Sequence, residues 1–264
     1  LPHSSPANLQ IDDNQLITSS TPFRELVEDY QNDYVLIVGV NKRKAQTMAE
    51  NYGFPNWVWY EDLLAQTPLI IPWREYPQVE AQPPVAIKAV LLMHEPSAWC
   101  VGLQLLCDVL SSDGQIRTDG FEISTEQIVD LYVANPDFSY AAQYSVPRFT
   151  CGAFMLCLRT LFKEVTGRDL KYTVYGKPYK AMHLYAENQL LKQAKKPLKT
   201  IYMIGDNPKS DIKGANGIEH WFSVMVRSGV FQGGENDTEN PAKHVALNVA
   251  EAVDFILKKE GLLP

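Results

Sequence analysis

Short aliphatic runs, each about the length of one strand and each followed by a turn and a helical stretch, set the fold class of this chain. Tyr34-Val35-Leu36-Ile37-Val38-Gly39-Val40 is the first, and residues 42–52 follow as a helix closed by Gly53. A second run at 85–93 precedes a helix at 97–110, in which Trp99, Leu103, Leu106 and Leu110 recur at 4, 3 and 4 residues and mark one buried face. Further runs stand at 131–134, 172–175, 200–204 and 221–226, with helices at 152–165, 179–192 and 248–260. Gly167 and Gly261 read as helix stops, and Asn248 with Glu251 matches a capping box. Strands alternating with helices predict an α/β protein built on parallel sheet. Residues 57–84, rich in Pro, Trp and Gln, read as loops with short helical pieces, and 232–241 as a flexible surface loop. No internal repeat or low-complexity tract is visible.

A chain of 264 residues with 45% hydrophobic and 21% charged content can bury a substantial core. Its net charge of −7 argues against a general binder of nucleic acid or anionic membrane. No apolar run approaches the roughly 20 residues that cross a bilayer. The nearest, residues 151–158, lies between Arg148 and Arg159 and reads as a core helix. Cys100, Cys107, Cys151 and Cys157 form no CxxC pair, and the five histidines lack ligand spacing. Buried free thiols are expected, which suits a reducing compartment. The opening Leu1-Pro2-His3-Ser4-Ser5-Pro6 has no initiator Met and no signal or transit peptide, so a processed or incomplete amino end is expected.

Chemistry concentrates in two turns. Ile201-Tyr202-Met203-Ile204 ends in Gly205-Asp206-Asn207-Pro208, and Asp211 follows five residues after Asp206. Carboxylates at the carboxyl end of a buried parallel strand stand where open α/β sheets place ligands. Two in one loop make a hard, oxygen-rich site for Mg²⁺, although Asp, Asn, Pro and Ser also favour a plain solvated turn. Gly176-Lys177-Pro178 follows the 172–175 run in the same way. A right-handed crossover through the 179–192 helix would set the 172–175 and 200–204 strands side by side. Lys177 would then stand beside Asp206 and Asp211, able to balance them and to grip a phosphate oxygen. Its alternative is a solvated lysine before a helix-initiating proline.

The ordered pair of motifs resembles the third and fourth motifs of the haloacid dehalogenase-like phosphatase superfamily, class IIA. The segment 9–22, Pro147-Arg148-Phe149, the 152–158 helix and residues 165–172 extend the resemblance over nearly the whole chain. It implies a Rossmann-like parallel-sheet core, incomplete at its N-terminal end, with a large inserted α/β cap. Residues 1–173 would be the cap with a preceding linker, and 174–264 the C-terminal part of the core. Asp206 would be a direct Mg²⁺ ligand, and Asp211 would hold the metal directly or through its waters. Lys177 would orient the nucleophile and neutralise phosphate charge, while Asn207 and Ser210 would shape the loop. Asn135-Pro136-Asp137 resembles the cap-turn signature of the class, so Asn135 and Asp137 are candidate substrate contacts, and equally a plain turn.

One departure matters. The family's nucleophile motif, Asp-x-Asp-Gly on the first core strand, is absent, as is the Thr or Ser of its second motif. Asp12 and Asp13 sit in a polar segment with no strand before it and are poor substitutes. The resemblance therefore implies a Mg²⁺-dependent phosphatase-like hydrolase acting on a small phosphomonoester through an aspartyl-phosphate, with its nucleophile outside this chain. The alternative is a non-catalytic binding or scaffolding member of the same fold. A Gly-rich nucleotide-binding loop is not found after any strand. Trp57, Trp59, Tyr60, Trp73 and Tyr76 could line a pocket, but ordinary packing or loop anchoring is the expected role. The resemblance also implies a mitochondrial setting, and it leaves the oligomeric state open.

Overall fold

The computed structural model describes residues 11–12, 15–80, 83–117, 120–140 and 142–264, so that Leu9, Gln10, Asp13 and Asn14 lie outside the described residues. The chain forms two compact units: Phe23–Gly176, and Lys177–Pro264 together with the residues up to Pro22.

The larger unit is a five-stranded parallel sheet in the order β2-β1-β3-β4-β7. Its strands are β1 (Tyr34–Val38), β2 (Trp57–Trp59), β3 (Ile87–Leu92), β4 (Asp130–Val133) and β7 (Thr173–Val174). Val35 to Val38 and Ala89 to Leu92 are buried without a break. Such continuous apolar runs are what a sheet covered on both faces requires. Four helices connect the strands: α1 (Lys42–Tyr52), α2 (Tyr60–Gln66), α3 (Trp99–Ser111) and α4 (Cys151–Thr166). Helix α1 ends at Gly53 and α4 at Gly167, both in the left-handed region that spares glycine a Cβ clash. One apolar cluster, from Phe23 to Leu170, fills this unit.

The smaller unit carries a three-stranded parallel sheet in the order β10-β9-β8, made of β8 (Ile201–Gly205), β9 (Trp221–Val226) and β10 (His244–Ala246). Helices α5 (Lys180–Ala194), α6 (Lys213–Asn216) and α7 (Val249–Lys259) and a π-helical turn at Pro208–Ile212 complete it. The capping box forms in part: Asn248 accepts from the Glu251 N–H, while the Glu251 carboxylate reaches one residue further and accepts from the Leu247 N–H. The α/β class with parallel sheet is thus as expected.

Several expectations change. Strands 172–175 and 200–204 are not neighbours: β7 pairs with β4 in the larger sheet, and β8 pairs with β9. The crossover rule applies to two strands of one sheet, and here the chain changes unit between Gly176 and Lys177. Gly176 packs so closely on Ala134, Asn135 and Pro136 that a Cβ would collide with them. Residues 57–84 hold an edge strand, β2, as well as helix α2 and a short 3₁₀ turn. The stretch 138–149 contains an antiparallel hairpin, β5 (Ser139–Tyr140) with β6 (Arg148–Phe149), too short to give a readable alternation. In α3 the buried stripe runs through Val101, Leu105 and Val109 beside Leu106 and Leu110, while Trp99 and Leu103 are only partly buried. Cys100 is exposed on that helix, whereas Cys107 and Cys151 are buried, and all four thiols are free. Trp59 and Tyr60 belong to the core and Trp73 is exposed. The 232–241 loop is tied by its own side chains: Asn236 exchanges two hydrogen bonds with Ala242, and Asp237 accepts from Glu239 and Asn240.

Candidate functional site

Strand β8 ends at Gly205, and the turn that follows is organised around Asn207. The Asn207 carbonyl accepts from the amides of Ser210, Asp211 and Ile212, and its side-chain oxygen accepts from Lys209 N at 3.0 Å. The side chain of Asn207 thereby starts the π-helical turn, which folds Asp211 back toward the strand end. Asp211 Oδ2 accepts from Asn207 N at 3.1 Å. Gly205 is obligatory here, because a Cβ would overlap the Asp211 side chain. Ser210 shapes the turn through its backbone amide.

Lys177 Nζ donates to Asp211 Oδ1 at 2.5 Å, with Asp211 only 6% exposed and Lys177 42% exposed. A buried carboxylate needs its charge balanced, and the ammonium and the Asn207 amide together do so. The ammonium keeps one side toward solvent, with donors left for an anion. Asp206 is engaged by a different segment. Its Oδ2 accepts from Val230 N at 2.7 Å, its carbonyl accepts from Phe231 N at 3.0 Å, and no described residue donates to its Oδ1.

His183 lies beneath the pair, 2% exposed, on helix α5. Its ring meets Trp221 edge-on at 5.0 Å and covers Gly214, where a Cβ would strike it. Nδ1 lies 3.3 Å from the Tyr179 carbonyl and Nε2 has no partner. Burial lowers its pKa below the usual 6.5, and the nearby Lys177 charge pushes in the same direction. His183 is therefore neutral at physiological pH.

The sequence-derived candidates thus separate by unit. Lys177, Asp206, Asn207, Ser210 and Asp211 share the carboxyl edge of β8 in the smaller unit. Asn135 and Asp137 belong to the larger unit, where Asp137 N donates to Asn135 Oδ1 at 2.9 Å in an Asx turn. Gly152 N donates to the Asp137 carbonyl at 2.7 Å, which anchors α4 to that turn. Nearby, Glu95 accepts from Thr150 Oγ1 at 3.0 Å and lies 2.8 Å from His94 Nδ1. Burial, with the Glu95 charge, drives the Cys151 thiol up to about 12, so it offers no thiolate near neutral pH. Asp12 is exposed, its backbone paired with Gln15, and Asp13 lies outside the described residues. Sequence reading missed Gly229, Val230 and His183. A glycine just past a strand end was the only available signal for the first two.

Among the described residues, no group of three or more His, Cys, Asp or Glu side chains is placed to hold a metal. Asp206 and Asp211 supply hard oxygens only, a donor set that suits Mg²⁺, which keeps several waters and takes one or two carboxylates plus substrate phosphate. Oδ1 of Asp206, which no described residue engages, is the oxygen that would be open to direct ligation. Asp211, with both oxygens engaged, fits the role of an outer support.

Residues 174–252 match the family described as HAD-hyrolase-like. The chain is 35% identical over 269 residues to a cardiolipin synthase (CMP-forming)/mitochondrial hydrolase fusion protein of Schizosaccharomyces pombe, covering 97% of this chain and 44% of that protein. It is 28% identical over 292 residues to a mitochondrial hydrolase of Saccharomyces cerevisiae, with 97% and 81% covered. The chain thus spans less than half the length of the first relative. Among solved structures, NagD from E. coli K-12 superposes with a TM-score of 0.57 at 16% identity, over 92% of this chain and 75% of NagD. That likeness is one of fold.

Proposed function

We propose that this chain, which has the fold of haloacid dehalogenase-like hydrolases of class IIA, carries the cation-binding and phosphate-gripping half of a Mg²⁺-dependent phosphatase site for a small phosphomonoester. One observation carries the reading: Lys177 and Asp211 are in direct contact at the strand end that also presents Asp206. Asp206 would hold Mg²⁺ through its free oxygen, and Asp211 would support it from behind. Bound Mg²⁺ would supply charge stabilisation to a phosphoryl group. The Lys177 ammonium, fixed by Asp211, would hold a phosphoryl oxygen and orient the attacking carboxylate. That carboxylate would come from outside the described residues, on a strand pairing with β8. Support for this lies at β8, whose outer edge has no partner among the described residues. Beside it α5 leaves Leu184 and Leu191 exposed, and α7 leaves Val249 and Val253 exposed.

Within the class, the wording of residues 147–172 resembles haloacid dehalogenase-like hydrolase domain-containing protein 5. The names of both yeast relatives favour a mitochondrial setting. No helix among the described residues is long and apolar enough to cross a membrane. Asn135 and Asp137 are proposed as substrate contacts because their turn resembles the cap-turn signature of the class. The division into a cap with linker at 1–173 and a core portion at 174–264 belongs to the same proposal. A second reading is a non-catalytic binding member of the same fold.

The two readings part on one assay. The complete gene product, given a broad phosphomonoester panel, should show Mg²⁺-dependent phosphate release. Lys177→Ala or Asp206→Asn should reduce it by about 100-fold or more. The 264-residue chain alone should turn nothing over. Absence of release by the complete product across the panel would favour the binding reading.

A further inference from the structure

We infer that the turn after β9, through Gly229 and the amide of Val230, is the device that aims Asp206, and that Gly229 is a positioning residue for the cation site. The inference rests on the proposed Mg²⁺ role of Asp206 and adds a requirement that no motif in the sequence announces.

A carboxylate at a strand end is free to turn about its own bonds, yet Asp206 is held at two points by one turn and packed closely against a third residue of it. Val230 N donates to its Oδ2 at 2.7 Å, and Phe231 N donates to its carbonyl at 3.0 Å. Gly229 fills the third position: a Cβ there would overlap the Asp206 Cβ, Cγ and Oδ2 atoms. The turn can thus approach the carboxylate only because residue 229 has no side chain. With Oδ2 committed to the amide, Oδ1 is the oxygen left to face a cation. Such an outer-shell donor fixes a ligand's rotamer before the metal arrives. The turn is itself anchored, since Arg227 N donates to the Ala246 carbonyl at 3.1 Å and Arg227 Nη2 to the Glu235 carbonyl at 3.0 Å. Gly233, four residues on, has no such duty: a Cβ there would meet only Phe231, at 3.9 Å. Val230 presents an exposed side chain, so its contribution to the site is its amide.

The test is a titration of the 264-residue chain with Mg²⁺ alone, followed by ¹H–¹⁵N spectra, for the wild type and for Gly229→Ala, Asp206→Asn and Gly233→Ala. Gly229→Ala should keep the wild-type melting profile, lose Mg²⁺ affinity by about 10- to 100-fold, and move the Val230 amide resonance as Asp206→Asn does. Gly233→Ala should behave as wild type. A folded Gly229→Ala that binds Mg²⁺ within twofold of wild type, with the Val230 resonance unmoved, overturns the inference while leaving the cation site intact. A wild type that takes no Mg²⁺ overturns the cation site itself, and the positioning role with it. Should Gly229→Ala not fold, Val230→Pro, which deletes the donor under an exposed side chain, is compared by Mg²⁺ affinity alone: a loss of about 10- to 100-fold is expected, and a folded Val230→Pro that binds Mg²⁺ within twofold of wild type overturns the inference.

Discussion

His183 is a buried residue whose polar atoms the fold leaves poorly satisfied. Its Nε2 is buried without a partner, and the 3.3 Å contact at Nδ1 is long. His183→Phe keeps the ring contact with Trp221 and removes the orphaned nitrogen, so it should stabilise the protein by about 1 kcal/mol in urea unfolding. The pH dependence follows from the sign of the shift. Burial lowers the folded-state pKa below 6.5, so on acidification the unfolded chain takes up the proton first. Stability is then unaffected above the unfolded value and falls as pH drops below it. Wild type should lose more stability than His183→Phe between pH 7.5 and pH 5.5, and equal losses would contradict this account of His183. Lys177→Ala strips the buried Asp211 of one of its two donors. Because the ammonium is 42% exposed and partly screened, the cost should be about 1–3 kcal/mol, well short of a fully buried pair. Lys177, Asp206 and Asp211 were singled out by their places after apolar runs, and the Lys177–Asp211 contact is the part of that reading the structure displays. Gly229 and His183 were not, since each acts through a contact between segments distant in sequence.

At the level of elements, the long runs were legible and the short ones were not. Strand β8 announces itself by an unbroken apolar stretch ended by Gly205 and Asn207-Pro208, and α7 by its Asn248–Glu251 cap. Strands β2, β5, β6 and β10 have two or three residues each, too few for a period to declare itself. The pairing of β7 is a different failure. Its two residues meet Tyr132 and Val133 of β4, and no local signal separates that partner from β8. Cap chemistry gives the element-scale prediction. Asn248→Ala removes the acceptor for the Glu251 amide and should lower stability by about 1 kcal/mol. Urea denaturation measures it, and an unchanged midpoint would mean that the α7 terminus frays without consequence.

Across the whole molecule, burial is unequally shared. The larger unit has a single apolar cluster spanning Phe23 to Leu170, whereas the smaller unit divides its buried apolar residues among three small clusters. Residues 23–176 expressed alone should therefore melt cooperatively with native-like circular dichroism. A non-cooperative melt would show that this cluster is insufficient by itself. The composition foretold a substantial buried core, but the division at Gly176–Lys177 is set by which sheet each strand joins. The central claim concerns the smaller unit, where Lys177 is paired with Asp211 at the strand end that also carries Asp206. Calorimetric titration of Mg²⁺ into wild type, Asp206→Asn and Lys177→Ala tests it most directly. The account predicts binding by wild type, loss of binding in Asp206→Asn, and unchanged or tighter binding in Lys177→Ala, where a competing cation has been removed from Asp211. Equal affinity in wild type and Asp206→Asn, or no binding by any of the three, would contradict it.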